Sequence, residues 1–594
     1  MLGRRALVLA LFLTVPVPVN SQTPTTDPLN LGFELTGLIA RTTPSRWFGG
    51  GTGYQAVLDT AVVHSGQRSL RIQPATASLP PNAFGVMSTS IPATGLAGKT
   101  VRFRGYIKTD AVEEGYAGLW MRQDAPGRMI TLDNMSDRGP RGTTEWQPYD
   151  ITMKIDSAAS TLVIGALHPG RGTAWFDSFS LEIDEKPYEV PPPWTATAAE
   201  VAWVKDHAIP IATSDPKAPL DDLRPLGAVV GDARIVSLGE GTHGTSEYFQ
   251  MKHRLTEFLA REKGFTVFAI EANMPEARRV NDYVLTGRGD PRAALASMYF
   301  WTWNTQEVLD MIEWMRAYNA SGKGHIEFWG FDLQTPNVAM DSVRAFVRRA
   351  DASYSASVDS AYVPIDTVVA ARRAGRINPA AIGNWLADAA RVLSHLEANR
   401  DSYARAGRDT MEIAWAIQNA RIVYQAAGSM RSGFSRDSSM ATNVSWIEAH
   451  QPPGTKMVLW AHNGHVNRVP NWMGAHLAAR YGSAMRVVGF AMGEGEYTAT
   501  GPRGLSVYPA AAPPPGSLET VFRATGIPRF ALDLRDAVRS PASAFLGATH
   551  DFRSIGAVAL DNAFSPARLA SQFDVIIYFD HTKASAELAP SFRR

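Results

Sequence analysis

The sequence predicts a multidomain chain: an amino-terminal all-β sandwich followed by an α/β domain with a mainly parallel sheet and a large helical insertion. Three observations predict it. From about Asn30 to Ile183, short runs alternate apolar and polar residues and are punctuated by Gly, Pro, Asn and Asp, the mark of half-buried strands joined by turns. Pro187 and Pro191–Pro193 then form a stiff spacer. Beyond it, short apolar runs alternate with longer helical patterns, the signature of α/β organisation.

Length and composition bound the answer. At roughly 150 residues per domain, 594 residues give two to four domains. With 45% apolar and 19% charged residues, the chain can bury a core, and disorder, collagen and coiled coil are disfavoured. A net charge of +1 argues against a nucleic-acid partner. The absence of cysteine excludes disulfides, thiolate metal sites, iron–sulfur clusters and Cys nucleophiles. Any catalysis must use His, carboxylates, hydroxyls, Lys or Arg.

The elements follow in chain order. Arg4 and Arg5 precede an uncharged run from Ala6 to Val19 that ends at small residues, which predicts a signal peptide over 1–21 cleaved near Ser21–Gln22. The run is short and holds Pro16 and Pro18, so it falls below the roughly 20 residues of a spanning helix. Its removal takes away two arginines and no acid, turning the charge from +1 to −1. A periplasmic or secreted protein with no membrane attachment after cleavage is expected. A β-sandwich is expected over 29–184, with strands at Val101–Lys108, Tyr116–Arg122, Tyr149–Ile155, Thr161–Leu167 and Trp175–Ile183, and a linker over 185–197. Over 198–590 the α/β pattern runs as strand Arg234–Leu238, helix Ser246–Lys263, strand Thr266–Ile270, helix Gln306–Tyr318 and strand His325–Phe331. Residues 337–449 read as almost entirely helical, and strands return at Met457–Trp460, Met485–Phe490 and Asp574–Phe579.

Polar clusters close several buried strands, where α/β folds place reactive groups. Glu240 and His243 lie in a Gly-rich turn after the first strand, with Glu247 and Lys252 in the helix that follows. Glu271 directly follows TVFAI, Asp332 follows FWGF, and His462 and His465 follow MVLWA. An imidazole takes a proton from water near neutral pH when a carboxylate orients it. Either Glu240 or Glu271 could hold the second ring nitrogen of His243. The alternative is that His243, Glu240, Glu271 and His462 hold a divalent metal. GxSxG and Walker A are both absent.

The residues resemble the erythromycin esterase family over about 200–585. The resemblance rests on GEGTHGTSEYFQMKHRL (Gly239–Leu255), GFTVFAIEAN (Gly264–Asn273), VNDYVLTGRGD (Val280–Asp290), WNTQEVLDMIEWMRAYN (Trp303–Asn319), FWGFDLQ (Phe328–Gln334), RDSSMATNVSW (Arg436–Trp446) and KMVLWAHNGHV (Lys456–Val466). It implies a metal-optional hydrolase that opens a macrolide lactone with water, a chemistry tied to antibiotic resistance. His243 is then the general base, Glu240, Glu271 and His462 complete the catalytic set, and Lys252, His465, Asp332 and Glu247 bind. Glu240 and Glu271 would fix the His243 tautomer, and Lys252 with His462 or His465 would stabilise the oxyanion. No cofactor is required on this reading, and the helical insertion 337–449 acts as a lid. The first part of the chain resembles carbohydrate-binding jelly-roll modules: Leu31–Glu34 would be the opening strand, His64–Leu70 the second and Gly172–Asp177 the closing one. Trp47, Trp120 and Trp146 would stack on sugars or pack as core and rim aromatics. The substrate is then a small-molecule or glycan ester. The remaining alternative is a non-catalytic glycan-binding protein on a hydrolase scaffold.

Overall fold

A computed structural model describes residues 27–80, 82–125, 127–363, 379–430 and 434–589. The expected signal segment 1–21 lies outside them, as do 364–378 and 431–433 of the expected insertion. The chain divides into two compact units, the first ending at Pro192 and the second beginning at Pro193. Among the described residues no helix is long and apolar enough to cross a membrane.

The first unit consists of two antiparallel sheets. One has the order Phe48–Gly50, Phe84–Pro92, Thr161–Pro169, Gly118–Ala125, Arg128–Asp133. The other runs Tyr54–Asp59, Ser69–Pro74, Arg171–Ile183, Thr100–Glu113, Gly142–Lys154. The period-2 pattern does what it predicts: Val101, Phe103 and Ile107 of Thr100–Glu113 are fully or nearly fully buried between charged neighbours. Each large apolar side chain removed from water contributes about 1.5–3 kcal/mol, and Leu70, Leu119, Ile164 and Phe176 join the same cluster. Trp47 belongs to this core, its ring 4.9 Å from that of Phe33 and its Nε1–H donating to the Leu29 carbonyl at 3.0 Å. Trp120 lines a groove with Phe48, Phe84, Met129 and Leu132, and Trp146 is half-buried beside His64.

Two expected strands are not strands. Leu31–Glu34 is irregular: Phe33 takes φ +59°, and the Asn30 side chain captures the backbone of Leu35 and Ser45 that a ladder would need. His64–Arg68 precedes its strand, which begins at Ser69, because Asp177 takes the backbone N–H groups of His64 and Ser65.

The second unit is built on a mixed sheet flanked by helices. Its order is Ala208–Pro210, Arg529–Asp533, Val575–Thr582, Met485–Gly501, Ile235–Leu238, Met457–Trp460, Val267–Asn273, Glu327–Asp332. The last six strands of that order are mutually parallel, and Arg529–Asp533 runs against its neighbours. Ile235–Leu238, Val267–Asn273 and Met457–Trp460 are buried along their whole length, which is why they read as unbroken apolar runs. Met457–Trp460 enters between Ile235–Leu238 and Val267–Asn273, so the tips of three polar-ended strands stand side by side. The helix after the first strand spans Ser246–Lys263 and stops at Gly264, whose φ of +74° suits glycine. Helices Asn337–Ala350, Thr410–Gly428 and Arg436–Ala449 share one core with Val267, Ala269, Met457 and Leu459. Sequence reading missed Ala208–Pro210, Gly504–Ala510, Arg529–Asp533 and the hairpin His550–Arg553/Phe564–Ala567, and Met485–Gly501 runs well past Phe490.

Candidate active site

The Gly239–Thr245 turn is pressed between two neighbours. A Cβ on Gly239 would lie 2.2 Å from Asn463 Oδ1, and one on Gly244 would lie 2.1 Å from the Thr498 carbonyl oxygen, so both positions require glycine. Thr242 and Thr245 hydroxyls meet at 2.6 Å, and the His243 N–H donates to the Gly556 carbonyl at 3.2 Å. Asn463 bonds the backbone of Phe490 in both directions and its own N–H donates to the Glu240 carbonyl at 2.8 Å. The His462–His465 segment is thereby fastened to the turn.

Glu240 is fully buried, and its carboxylate gathers three partners. His243 Nδ1 lies 2.6 Å from Oε1, while Lys252 Nζ and Trp460 Nε1 donate to Oε2 at 2.5 and 2.8 Å. Carboxylates only accept, so Nδ1 carries the proton and Nε2 is the nitrogen left to receive one. Burial drives the Lys252 ammonium down to about 8, although Glu240 beside it acts in the opposite direction. Lys252 corrects an expectation. It sits behind Glu240, fully buried and 4.3 Å from the Trp460 ring centre, and is a partner of the carboxylate rather than a donor facing substrate.

A second network stands beside the first. Arg436 grips Asp332 with Nε and Nη2 at 2.9 and 2.7 Å and donates from Nη2 to Glu271 Oε1 at 2.8 Å. The other oxygen of Glu271 accepts the His462 N–H at 3.0 Å. His465 places Nδ1 2.7 Å from Asp437 and Nε2 3.3 Å from Glu271. Burial alone would raise the Glu271 carboxyl, but His465, Arg436 and His243 hold it well below the carboxylate range. Burial lowers His465, and the carboxylates of Glu271 and Asp437 outweigh it, so the net shift is upward. Glu271 therefore acts on His243 only through its charge; among the described residues Glu240 alone bonds the ring.

His462 differs from its neighbour. Gly464 N–H donates to its Nδ1 at 3.0 Å, which puts the proton of the neutral ring on Nε2. Burial, with the fields of His243 and His465, holds it down to about 3; Glu271 and the nearby Gly241 carbonyl pull weakly upward, the latter without a well-aligned hydrogen bond to Nε2. The His243 and His462 rings stand 5.2 Å apart.

Both rings line a cavity of about 490 Å³, with His465, Trp472, Phe552 and Phe573 among its walls. Among the described residues its lining comes from the Asn463–Trp472 and Phe552–Phe573 segments, not from 337–449, which had been expected as the lid; that insertion instead contributes Arg436 and Asp437 from its last helix. Glu247 is not gathered in: its carboxylate accepts the Lys583 N–H at 2.8 Å. Arg436, Asp437 and Trp460 are functional neighbours that sequence reading passed over, although each stands inside or beside a segment with a recognisable pattern.

The four residues of the metal alternative do not fit a metal. Glu240 faces Lys252, Trp460 and His243, Glu271 is taken by Arg436 and the His462 N–H, and His462 Nδ1 already accepts. Among the described residues no three His, Asp or Glu side chains are grouped as metal ligands.

The family model described as erythromycin esterase matches residues 260–582, more than half of the chain, and the chain belongs to that family of hydrolases. Glu271, Asp332, Arg436, His462 and His465 lie within the matched span; Glu240, His243 and Lys252 precede it. Erythromycin esterase type II of Escherichia coli is 29% identical over 292 residues, which cover 45% of this chain and 69% of that protein. A crystal structure of a Bacillus cereus protein is 28% identical with a TM-score of 0.59, covering 67% of this chain and 100% of the other. A structure of a succinoglycan biosynthesis protein is 27% identical with a TM-score of 0.56, covering 65% and 97%.

Proposed function

We propose that the protein hydrolyses an ester or lactone by water attack, with His243 as general base. The observation that carries this reading is the Glu240–His243 contact of 2.6 Å on a ring that lines a cavity. Water held at Nε2 gives up its proton as its oxygen attacks the carbonyl carbon. The ring becomes imidazolium, and the Glu240 carboxylate favours that charge. Lys252 and Trp460 hold the Glu240 carboxylate in place through hydrogen bonds to Oε2. The N–H on His462 Nε2 and the guanidinium charge of Arg436 stabilise the charge developing on the carbonyl oxygen. The proton on His243 then passes to the departing alkoxide. No metal or other cofactor takes part.

The substrate is proposed to be a small-molecule or glycan ester; macrolides are one class to test. The segment 1–21 is read as an export signal and the first unit as a jelly-roll module of carbohydrate-binding type. A hydrolysis screen of macrolides, acylated glycans and aryl esters, with and without EDTA, tests the reading. Metal-independent turnover of one of these classes supports it, and turnover restored only by a metal contradicts it. Glycan-array binding with no hydrolysis anywhere in the screen would favour a binding protein instead.

A further inference from the structure

Lys252 and His253 are neighbours on the Ser246–Lys263 helix and face different ways. Lys252 reaches Glu240, whereas His253 lines a second cavity, of about 1030 Å³, that shares no residue with the one at His243. His253 is only 4% exposed, and among the described residues neither ring nitrogen has a hydrogen-bond partner. Buried polar groups are nearly always satisfied, so an imidazole whose two nitrogens are unmet and covered just beneath a cavity wall is a group that a turn of its ring would bring to a partner. Burial holds it down to about 4, which leaves the ring neutral, with one donor and one acceptor nitrogen.

The walls select the charge of that partner. Seven carboxylates and three Lys or Arg side chains line the cavity. Two of the cations are already engaged: Arg261 with Glu257 at 2.7 Å, and Arg224 with Asp221 at 2.9 Å and Glu262 at 3.5 Å. Asp310 and Glu313 stand exposed one turn apart on the Gln306–Ala320 helix. Beside them Trp314 lies 5.5 Å from the His253 ring and stacks on Tyr318 at 5.4 Å. A neutral acceptor, an aromatic face and an acidic rim together favour a cation with an apolar body.

We propose that this cavity is a second ligand site, separate from the hydrolytic one, for a protonated amine carried on a small aromatic or apolar body. The ammonium ion pairs with Asp310 and Glu313, the body packs on Trp314, and the His253 ring turns to present its acceptor nitrogen to an N–H of the amine.

Calorimetric titration of the full-length protein with tyramine tests it, with 4-ethylphenol and 4-hydroxyphenylacetate as the neutral and anionic counterparts. Saturable binding of tyramine is expected, weakened at least about tenfold both for the two counterparts and in the exposed double variant Asp310→Asn/Glu313→Gln, with ester hydrolysis unchanged. His253→Phe should weaken binding to a similar degree; if it fails to fold by circular dichroism, the double variant decides. No saturable binding of tyramine, equal affinity for an uncharged or anionic counterpart, or full affinity in the double variant would each overturn the proposal.

Discussion

Replacing Glu240 with glutamine separates two things the buried carboxylate does. The side chain keeps its shape, and its carbonyl can still accept from Lys252 or Trp460. Its amide nitrogen donates, however, and cannot take the His243 Nδ1–H that now lies 2.6 Å from Oε1. The ring is then driven to the tautomer with the proton on Nε2, and the lone pair facing water is lost. A wrong-tautomer defect of this kind costs on the order of 10³- to 10⁴-fold in kcat, or roughly 4–5.5 kcal/mol of barrier. Stability responds separately. Lys252 is fully buried, and removing one member of a buried ion pair costs about 3–5 kcal/mol, reduced here by the hydrogen bond that the amide oxygen retains. The double variant Glu240→Gln/Lys252→Met should recover much of that stability and none of the activity, since it removes the stranded charge without restoring the acceptor. Initial rates on an aryl ester across a pH series, with urea unfolding of each variant, measure both. Activity within tenfold of wild type in the folded Glu240→Gln protein would refute the reasoning.

Three further outcomes are expected. Arg436→Met strips the cation from Asp332, fully buried, and Glu271, nearly so, and should lower unfolding stability by about 3–5 kcal/mol in urea; a loss under about 1 kcal/mol would show that the network is not structural. Lys252 titrates at about 8, so activity should fall as pH rises through that value and the neutral amine leaves Glu240 uncompensated. Lys252→Arg should move that limb upward because guanidinium stays charged, and an unmoved limb would clear Lys252 of the effect. EDTA should leave turnover unchanged, and loss of activity reversed by added metal would count against the proposed chemistry.

Much of the site was legible because buried strands rarely end in charge without a reason. Glu240, Glu271, Asp332 and His462 all stand just beyond apolar runs, and the structure brings those tips together. The glycines around His243 were legible as a turn, but their necessity comes from Asn463 and Thr498, hundreds of residues away in sequence. Roles were harder to read than positions. Lys252 shows a cation in a helix pattern; only the fold reveals that Glu240 stands between it and the cavity. Arg436 reaches Asp332 across 104 residues of chain from the first turn of a helix whose sequence looks like solvent-exposed surface. The Phe552–Phe573 wall carried no periodic signal, since a short hairpin over a cavity is specified by what it packs against. Leu31–Glu34 failed as a strand for a similar reason: Asn30 supplies by side chain the bonds that strand pairing would have made.

The central claim is that His243 takes the proton from water. Its most direct test is chemical rescue of His243→Ala on an aryl ester, with the fold checked by circular dichroism. The account predicts a loss of turnover on the order of 10³-fold or more, partly and saturably restored by added imidazole entering the vacated wall of the cavity. Turnover within tenfold of wild type, without imidazole, would contradict it.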